Sequence, residues 1–147
     1  MNYTIAEVAG EIYEEIGSDG PTEQQILVWL TYNAGRLNNL ISTFFEVEGG
    51  DYLPQLGTDE KDILKAIYYS HYYTDQSRKA LIGSSNSILS LRDDVSAVSF
   101  TNPKEIAKVY KDMSTEKKDE AYRLSNLYKH NRSGPRDPRN THDGRWQ

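Results

Sequence analysis

The sequence predicts an all-α protein that contains a helical hairpin and two further long helices, with a short extended or β segment near residues 92–100 and an extended C-terminal tail. Two stretches with apolar residues at helical spacing each follow a capping-box pattern. Turns rich in glycine, proline and serine separate the helical stretches. The alternation typical of a strand is confined to one short segment, so a mainly helical fold is expected.

The first two helices should form the hairpin. The first is expected over residues 4–16 and should end at Gly17. The second is expected to begin after the "SDGPT" turn and to continue to about Phe44 as a single helix. The capping pairs that mark the two N-termini are Thr4 with Glu7 and Thr22 with Gln25.

The middle of the chain predicts a loop and a third helix. The glycines and proline of "EVEGGDYLPQLG", residues 46–57, favour a loop. Thr58 should cap a helix that continues to Ile82 and stops at Gly83. A fourth helix should start at Asn102 as N-cap with Pro103 in its first turn and reach Lys129, although Ser114 could weaken or break it.

The extended segment lies between the third and fourth helices. In "LRDDVSAVSF" Val98 and Phe100 alternate on one face, with Val95 on the other. Because a short strand leaves backbone groups unpaired, we expect it to pack against another segment, for which a neighbouring subunit is a candidate. Val95, Val98 and Phe100 are therefore predicted interface residues.

Charge is distributed unevenly along this chain of net charge −5. Residues 1–57 carry nine acids and one base, residues 58–128 carry eleven of each, and residues 129–147 carry five bases and two acids. An acidic front and a basic tail indicate two surfaces with different partners, or a head-to-tail contact between copies; ordinary solvated charge is the alternative. The sequence lacks cysteine and any run of 18 apolar residues. We therefore expect neither thiolate metal sites, nor a membrane span, nor a signal peptide.

The segment "IYYSHYYTDQSRK", residues 67–79, is the strongest candidate for chemistry. His71 and Asp75 are one helical turn apart, a spacing that could hold a metal or orient a general base. No third ligand follows at a recognisable spacing, so we expect no metal, no cofactor and no enzymatic activity. The surrounding tyrosines are instead predicted to form a subunit interface, where tyrosine is enriched. They are Tyr68, Tyr69, Tyr72 and Tyr73.

Residues 131–147, "NRSGPRDPRNTHDGRWQ", form the predicted tail, which follows a helical body over residues 1–130. The tail has too few apolar residues to offset the entropy of ordering its own backbone, so we expect it to be ordered by a partner. Its arginines can each hold a carboxylate, and a terminal tryptophan can anchor in a pocket. The predicted partner contacts are Arg132, Arg136, Arg139, Arg145 and Trp146.

The order of these parts resembles the head-to-tail connector (adaptor) proteins of tailed bacteriophages. The resemblance rests on "TIAEVAGEIYEEIG", "TEQQILVWLTYNAGRLNNLI", "DEKDILKAIYYSHYYTDQSRKALIG" and the block from "SLRDDVSAVSF" to "YKHNRSG". It implies a ring of twelve copies between the portal protein and the next neck or stopper protein, through which double-stranded DNA passes. It also implies localisation in the virion, with assembly in the host cytoplasm and no contact with a membrane.

Two other functions remain open from the sequence. One is a small helical regulatory or antitoxin-like protein whose basic tail binds nucleic acid or a partner enzyme. The other is a small hydrolase-like enzyme that uses His71. A steep salt dependence of DNA binding would favour the first, and stoichiometric metal lost with His71 would favour the second.

Overall fold

The computed structural model describes residues 1–91 and 103–133, within which side chains are described for residues 1–82 and 103–132. This part of the chain is mainly helical, and the expected all-α class is confirmed. The predicted segment near residues 92–100 and the chain after residue 133 lie outside the described residues. The elements are α1 (Ile5–Ile16), α2 (Glu23–Tyr32), α3 (Ala34–Ile41), β1 (Glu46–Glu48), β2 (Asp51–Leu53), α4 (Thr58–Leu91) and α5 (Pro103–Ser133).

Both predicted capping boxes are present. The Glu7 N–H donates to the Thr4 hydroxyl at 3.1 Å, and the Glu7 carboxylate accepts from the Thr4 N–H at 3.1 Å. Thr22 and Gln25 repeat this pair at 3.1 and 2.9 Å. Each cap satisfies backbone donors that have no partner within the first turn of the helix.

The predicted second helix is divided into α2 and α3, so its expected continuity to Phe44 was wrong. The break lies at Asn33, whose side-chain amide donates to the Trp29 carbonyl at 2.7 Å and so competes with the helical backbone bond. The chain leaves α3 through Ser42, which has a left-handed backbone. Asn38 then binds both backbone groups of Phe45 at 2.8 and 2.9 Å, which turns the chain away from the helix.

The predicted loop over residues 46–57 contains a two-stranded antiparallel sheet, which the sequence interpretation missed. Glu46 pairs with Leu53, Val47 with Tyr52 and Glu48 with Asp51. Gly49 and Gly50 both have positive φ, at 62° and 80°. Two such residues in succession suit the tight turn of a hairpin, because glycine adopts these angles without steric cost.

Helix α4 begins at Thr58 as expected but continues through Gly83 to Leu91, so the predicted stop at Gly83 was wrong. An interior glycine costs only about 1 kcal/mol relative to alanine, which a long helix packed along a neighbour can tolerate. Helix α5 also passes Ser114 without a break. The Ser114 hydroxyl donates across to the Ser70 carbonyl of α4 at 2.8 Å, instead of disturbing its own helix.

Helix α5 continues beyond the predicted end at Lys129 and reaches Ser133. The first three residues of the predicted tail are therefore helical, and the helical body extends to residue 133 instead of 130. Within this extra turn the Arg132 guanidinium binds the Glu60 carboxylate of α4 at 3.2 Å.

Helices α4 and α5 lie antiparallel, because Arg132 meets Glu60 at one end while Ser77 donates to the Ala107 carbonyl at 2.8 Å toward the other. Among the described side chains, the hydrophobic core cluster lies at the first of these ends. We call residues 1–72 and 117–133 the core end, and residues 73–91 and 103–116 the distal arm. The core residues, all in the core end, are Ile5, Val8, Ala9, Ile12, Ile26, Leu30, Ala34, Leu37, Ile41, Phe45, Tyr52, Leu56, Ile63, Leu64, Tyr68 and Tyr128.

Candidate functional site

Two opposite faces of the α4–α5 pair carry most of the chemically distinctive side chains. One face points toward α1 and is rich in tyrosine. The other borders α3 and is rich in lysine, arginine and hydroxyl groups. Residues 69, 72 and 73 lie on the first face of α4 and residues 67, 70, 71, 74 and 78 on the second, as the helical period requires.

The tyrosine face lines a recess of about 410 Å³ between α1, α4 and α5. The Tyr73 ring stacks on Tyr69 at 6.2 Å and on Tyr110 at 6.2 Å, and it meets the edge of Tyr72 at 5.3 Å. All four rings are half-buried. Partly exposed tyrosines offer apolar area together with a polar end, so three of the four predicted interface tyrosines lie on a surface suited to contact with a partner.

A half-buried lysine, Lys65, binds the acidic groups beside this recess. Lys65 binds Glu11 at 2.8 Å and also Glu15, and Tyr69 donates to Glu15 at 2.8 Å. The hydrogen bond from Lys65 lowers the pKa of Glu11. Burial, followed by the hydrogen bond to Glu15, raises the pKa of Tyr69. The Tyr69 hydroxyl therefore stays protonated and acts as a hydrogen-bond donor. It is not an ionised nucleophile.

Tyr68, the fourth predicted interface tyrosine, is a core residue. It is only 4% exposed, and its ring meets the edge of the Trp29 ring at 5.2 Å. Burial raises its pKa to about 12. A side chain this buried within its own chain has almost no surface to offer to a neighbour, which corrects its assignment to the interface.

His71 stacks on the Trp29 ring at 4.9 Å. Burial lowers its pKa, Arg36 and Arg78 lower it further, and Asp75 raises it. Asp75 itself binds Arg78 at 2.8 Å and Lys79 at 3.1 Å, so its carboxylate is already engaged by cations. Within residues 1–91 and 103–133, no three histidine or acidic side chains are grouped closely enough to hold a metal ion.

The second face forms an open groove of about 760 Å³ between α3, α4 and α5, which we call the basic groove. Four cations border it, and none of the described residues that line it is acidic. They are Arg36 on α3, Arg78 on α4, and Lys111 and Lys118 on α5. The rest of the wall consists of hydroxyl-bearing residues, His71 and the apolar side chains of Leu40, Ile67, Leu81 and Ala121.

Hydroxyl groups fix the two helices that form this groove. Ser114 is 8% exposed, and its hydroxyl lies 2.6 Å from that of Thr74 in addition to its bond with the Ser70 carbonyl. Small side chains let the two backbones approach closely, and the hydrogen bonds satisfy groups that burial would otherwise leave unpaired. The position of the groove is therefore set by polar contacts between helices.

The sequence interpretation missed the basic groove. The signal was present in the spacing of Lys111, Thr115, Lys118 and Tyr122, which repeat at three and four residues and so share one helical face. Arg36 could not have been added without the structure, because the break at Asn33 decides where α3 meets α4.

The predicted tail contacts are only partly described. Arg132 lies on α5, where its guanidinium sits 4.3 Å from the centre of the Tyr128 ring and binds Glu60. Arg136, Arg139, Arg145 and Trp146, like Val95, Val98 and Phe100, lie outside the described residues. For these seven residues the sequence-based assignment remains a prediction.

Comparison with protein-family models, curated protein sequences and solved structures finds no match to this chain. Among the helices that the structure describes, none is both long enough and apolar enough to cross a membrane. The functional argument therefore depends on the surfaces of the chain itself and on the resemblance in the order of its sequence segments.

Proposed function

We propose that this protein is a structural virion protein that forms a ring joining the phage portal to the next neck or tail component, with DNA passing through the lumen. The observation that carries the proposal is the distal arm. Its described residues include exposed Leu81, Ile82 and Val109 at 47%, 58% and 57% exposure, while only Ala107 and Ser114 are buried. A pair of helices whose described residues expose apolar side chains and bury few of them is suited to packing against neighbouring copies.

The resemblance to connectors supports the same role, because it covers the order of segments along most of the chain. The acidic balance of residues 1–57, with nine acids against one base, also suits a conduit for DNA. Walls of like charge avoid holding the duplex during passage. The ring would assemble in the host cytoplasm and remain in the virion.

The basic tail is the proposed contact with the portal. Residues 134–147 contain Arg136, Arg139 and Arg145, which can each bind a carboxylate, and Trp146, which can fill an apolar pocket. Arg132 is assigned instead to the body of the protein, since it already binds Glu60.

The test is cosedimentation of the full-length protein with the portal protein of the same phage, followed by measurement of the mass of the complex. We expect a ring on the portal. Deletion of residues 134–147 should leave the circular dichroism of the helices unchanged, because all core residues precede that segment, and should weaken or abolish docking. A full-length protein that ignores the portal and remains a monomer would contradict the proposal.

A second candidate function is nucleic-acid binding by a small helical regulatory or antitoxin-like protein. The basic groove favours it, because four cations border the groove and no acidic described residue lines it. In that case binding to a short DNA duplex should weaken steeply as salt is raised, by roughly one unit of log–log slope for each phosphate contact. Charge reversal at Lys111 and Lys118 should then reduce that slope by about two.

A further inference from the structure

The cations of the basic groove are incompletely neutralised within the chain. No carboxylate among the described side chains forms an ion pair with Lys111 or Lys118. Arg36 lies 5.7 Å from the centre of the Trp29 ring, a contact that leaves its charge uncompensated. Arg78 binds Asp75 but its side chain is 65% exposed. The groove therefore favours an occupant that brings negative charge.

The length and the lining of the groove indicate which kind of ligand or partner fits it. It follows α4 from Ile67 to Leu81, about 20 Å at 1.5 Å per residue. Its cations are spread along this length between apolar and hydroxyl-bearing side chains, so a small anion would meet only part of the groove. A protein segment with both carboxylates and apolar side chains uses the whole surface.

Such a segment is present elsewhere on the same chain. We call Phe44 together with β1, the turn and β2, residues 44–53, the acidic hairpin. Because Glu46 pairs with Leu53 and Glu48 with Asp51, the side chains of Glu46, Glu48 and Leu53 lie on one face of the sheet. On that face Glu46, Glu48 and Leu53 are exposed, Leu53 at 54%, whereas Asp51 is half-buried and accepts a hydrogen bond from the Ile5 N–H of α1 at 2.9 Å. The adjacent Phe44 is 90% exposed. The opposite face holds Tyr52, which is buried in the core and fixes the hairpin in place.

The hairpin and the groove are complementary in charge and in apolar content. The hairpin carries carboxylates beside a leucine and a phenylalanine, whereas the groove carries ammonium and guanidinium groups beside leucine and isoleucine. We propose that the acidic hairpin of one copy docks in the basic groove of the next copy. This inference rests on the proposed ring, and it identifies the contact between neighbouring subunits of that ring.

The two patches are different parts of one surface, so the contact is heterologous. A heterologous contact leaves one free hairpin and one free groove at the ends of every open chain of subunits, and it terminates only when a ring closes. The hairpin lies in residues 1–57, where nine acids outweigh one base, while both groove lysines lie in α5. Like-charged copies meet through patches of opposite sign.

The test uses two charge-reversed full-length variants. The hairpin variant carries Glu46→Lys and Glu48→Lys, and the groove variant carries Lys111→Glu and Lys118→Glu. Sedimentation velocity and native mass spectrometry, alone and with portal present, report assembly, and circular dichroism confirms folding. Each variant alone should lose the ring, because its reversed side chains face charges of the same sign on the neighbouring copy.

Mixing the two variants separates this contact from a general effect of charge. The intact hairpin of the groove variant fits the intact groove of the hairpin variant, and the reversed hairpin fits the reversed groove. The mixture should therefore regain rings in which the two 16.8-kDa variants alternate. A variant that carries all four reversals should regain the ring. The matched control, Lys108→Glu with Arg123→Glu, reverses two exposed cations of α5 that do not line the groove and should assemble like the unmodified protein.

Three outcomes would overturn the inference. If both variants form rings as the unmodified protein does, the contact lies elsewhere while the proposed function stands. If the unmodified protein neither self-assembles nor binds portal, the proposed function fails together with the inference. If reversal at Lys111 and Lys118 abolishes salt-sensitive binding to a short DNA duplex and leaves assembly unchanged, the groove is a nucleic-acid site instead.

Discussion

The core end and the distal arm are held together by different kinds of contact. In the core end, aliphatic side chains of the first four helices are removed completely from water, including Ile12, Leu30 and Leu64 at 0% exposure. In the arm, α4 and α5 meet through small and polar groups such as Ser77, Ala107 and Ser114. The core end has the contacts of an independently stable fold, whereas the arm has those of an element that gains stability from a partner.

This difference also indicates different contributions of the two regions to stability and to assembly. Burial of a leucine or isoleucine contributes about 1.5–3 kcal/mol, so the core end can supply most of the free energy of unfolding. A net hydrogen bond contributes about 0.5–1.5 kcal/mol, so the arm adds less for each contact. The described part of the arm leaves apolar side chains exposed to solvent. We expect these side chains to be available for contact with another copy.

The largest expected difference compares two isoleucines on the same helix. Ile63 in the core end is 1% exposed, and Ile82 in the arm is 58% exposed. Ile63→Ala should lower the free energy of unfolding by about 2–5 kcal/mol, because it leaves a cavity in the core. Ile82→Ala should change it by less than about 0.5 kcal/mol. Urea unfolding followed by circular dichroism measures both, and equal losses would remove the distinction between the two regions.

The next prediction concerns the close contact of α4 and α5 in the arm. Ser114→Leu places a larger side chain where Ser70 and Thr74 already contact the hydroxyl, and it should cost about 1–3 kcal/mol. Ser114→Ala removes only the hydrogen bonds and should cost about 1 kcal/mol. Thr115→Leu on the exposed neighbour is the control, with an effect below about 0.5 kcal/mol. If Ser114→Leu matches this control in urea unfolding, the helices are not closely packed at this point.

The parts of the fold that local chemistry determines were predictable. The capping boxes at Thr4 and Thr22 and the helix start at Pro103 depend on residues within one turn, and the structure has all three. The errors fall where side chains from distant residues decide the outcome. Ser114 does not break α5 because Ser70, 44 residues away, accepts its hydrogen bond. Gly83 does not end α4, since a glycine stops a helix only when the chain also leaves the helical conformation there.

The candidate surfaces were likewise predictable from the sequence only in part. The tyrosine face was predictable from a dense run of aromatic residues, yet burial of Tyr68 against Trp29 became visible only with the fold. The basic groove brings together Arg36, Arg78 and Lys118, which come from three helices separated by long stretches of sequence. The acidic hairpin was assigned to a loop because its strands have only three residues each, too few for a clear alternating pattern.

A smaller effect is expected from the ion pairs that attach α4 to α1. Lys65→Met removes the contacts with Glu11 and Glu15 and should cost about 1 kcal/mol or less, because both carboxylates are partly exposed. The pKa of Glu11 is lowered in the folded protein, so its stabilisation is present above the usual pKa of 4.5 and is lost as pH falls through the lowered value. The difference between the two proteins in urea unfolding should therefore shrink with acidification. A difference independent of pH would mean that Lys65 acts through packing alone.

The smallest expected effect is a titration at the boundary between the two regions. His71 stacks on Trp29, and burial lowers its pKa below the usual 6.5, so its NMR titration midpoint should lie below that value in the folded protein and return toward it in urea. Asp75→Asn should lower the midpoint further, because this carboxylate favours the charged imidazole, whereas Arg36→Gln should raise it.

The same pKa shift makes the free energy of unfolding depend on pH. Because the folded protein favours the neutral imidazole, the stabilisation from His71 is present above pH 6.5 and is lost as pH falls from the pKa of the unfolded chain to the lower pKa of the folded protein. His71→Gln should leave assembly on the portal largely intact, since glutamine keeps a neutral polar side chain on the wall of the basic groove and leaves its four cations in place. Stoichiometric metal in the purified protein that disappears with His71→Gln would instead place a metal site at this boundary.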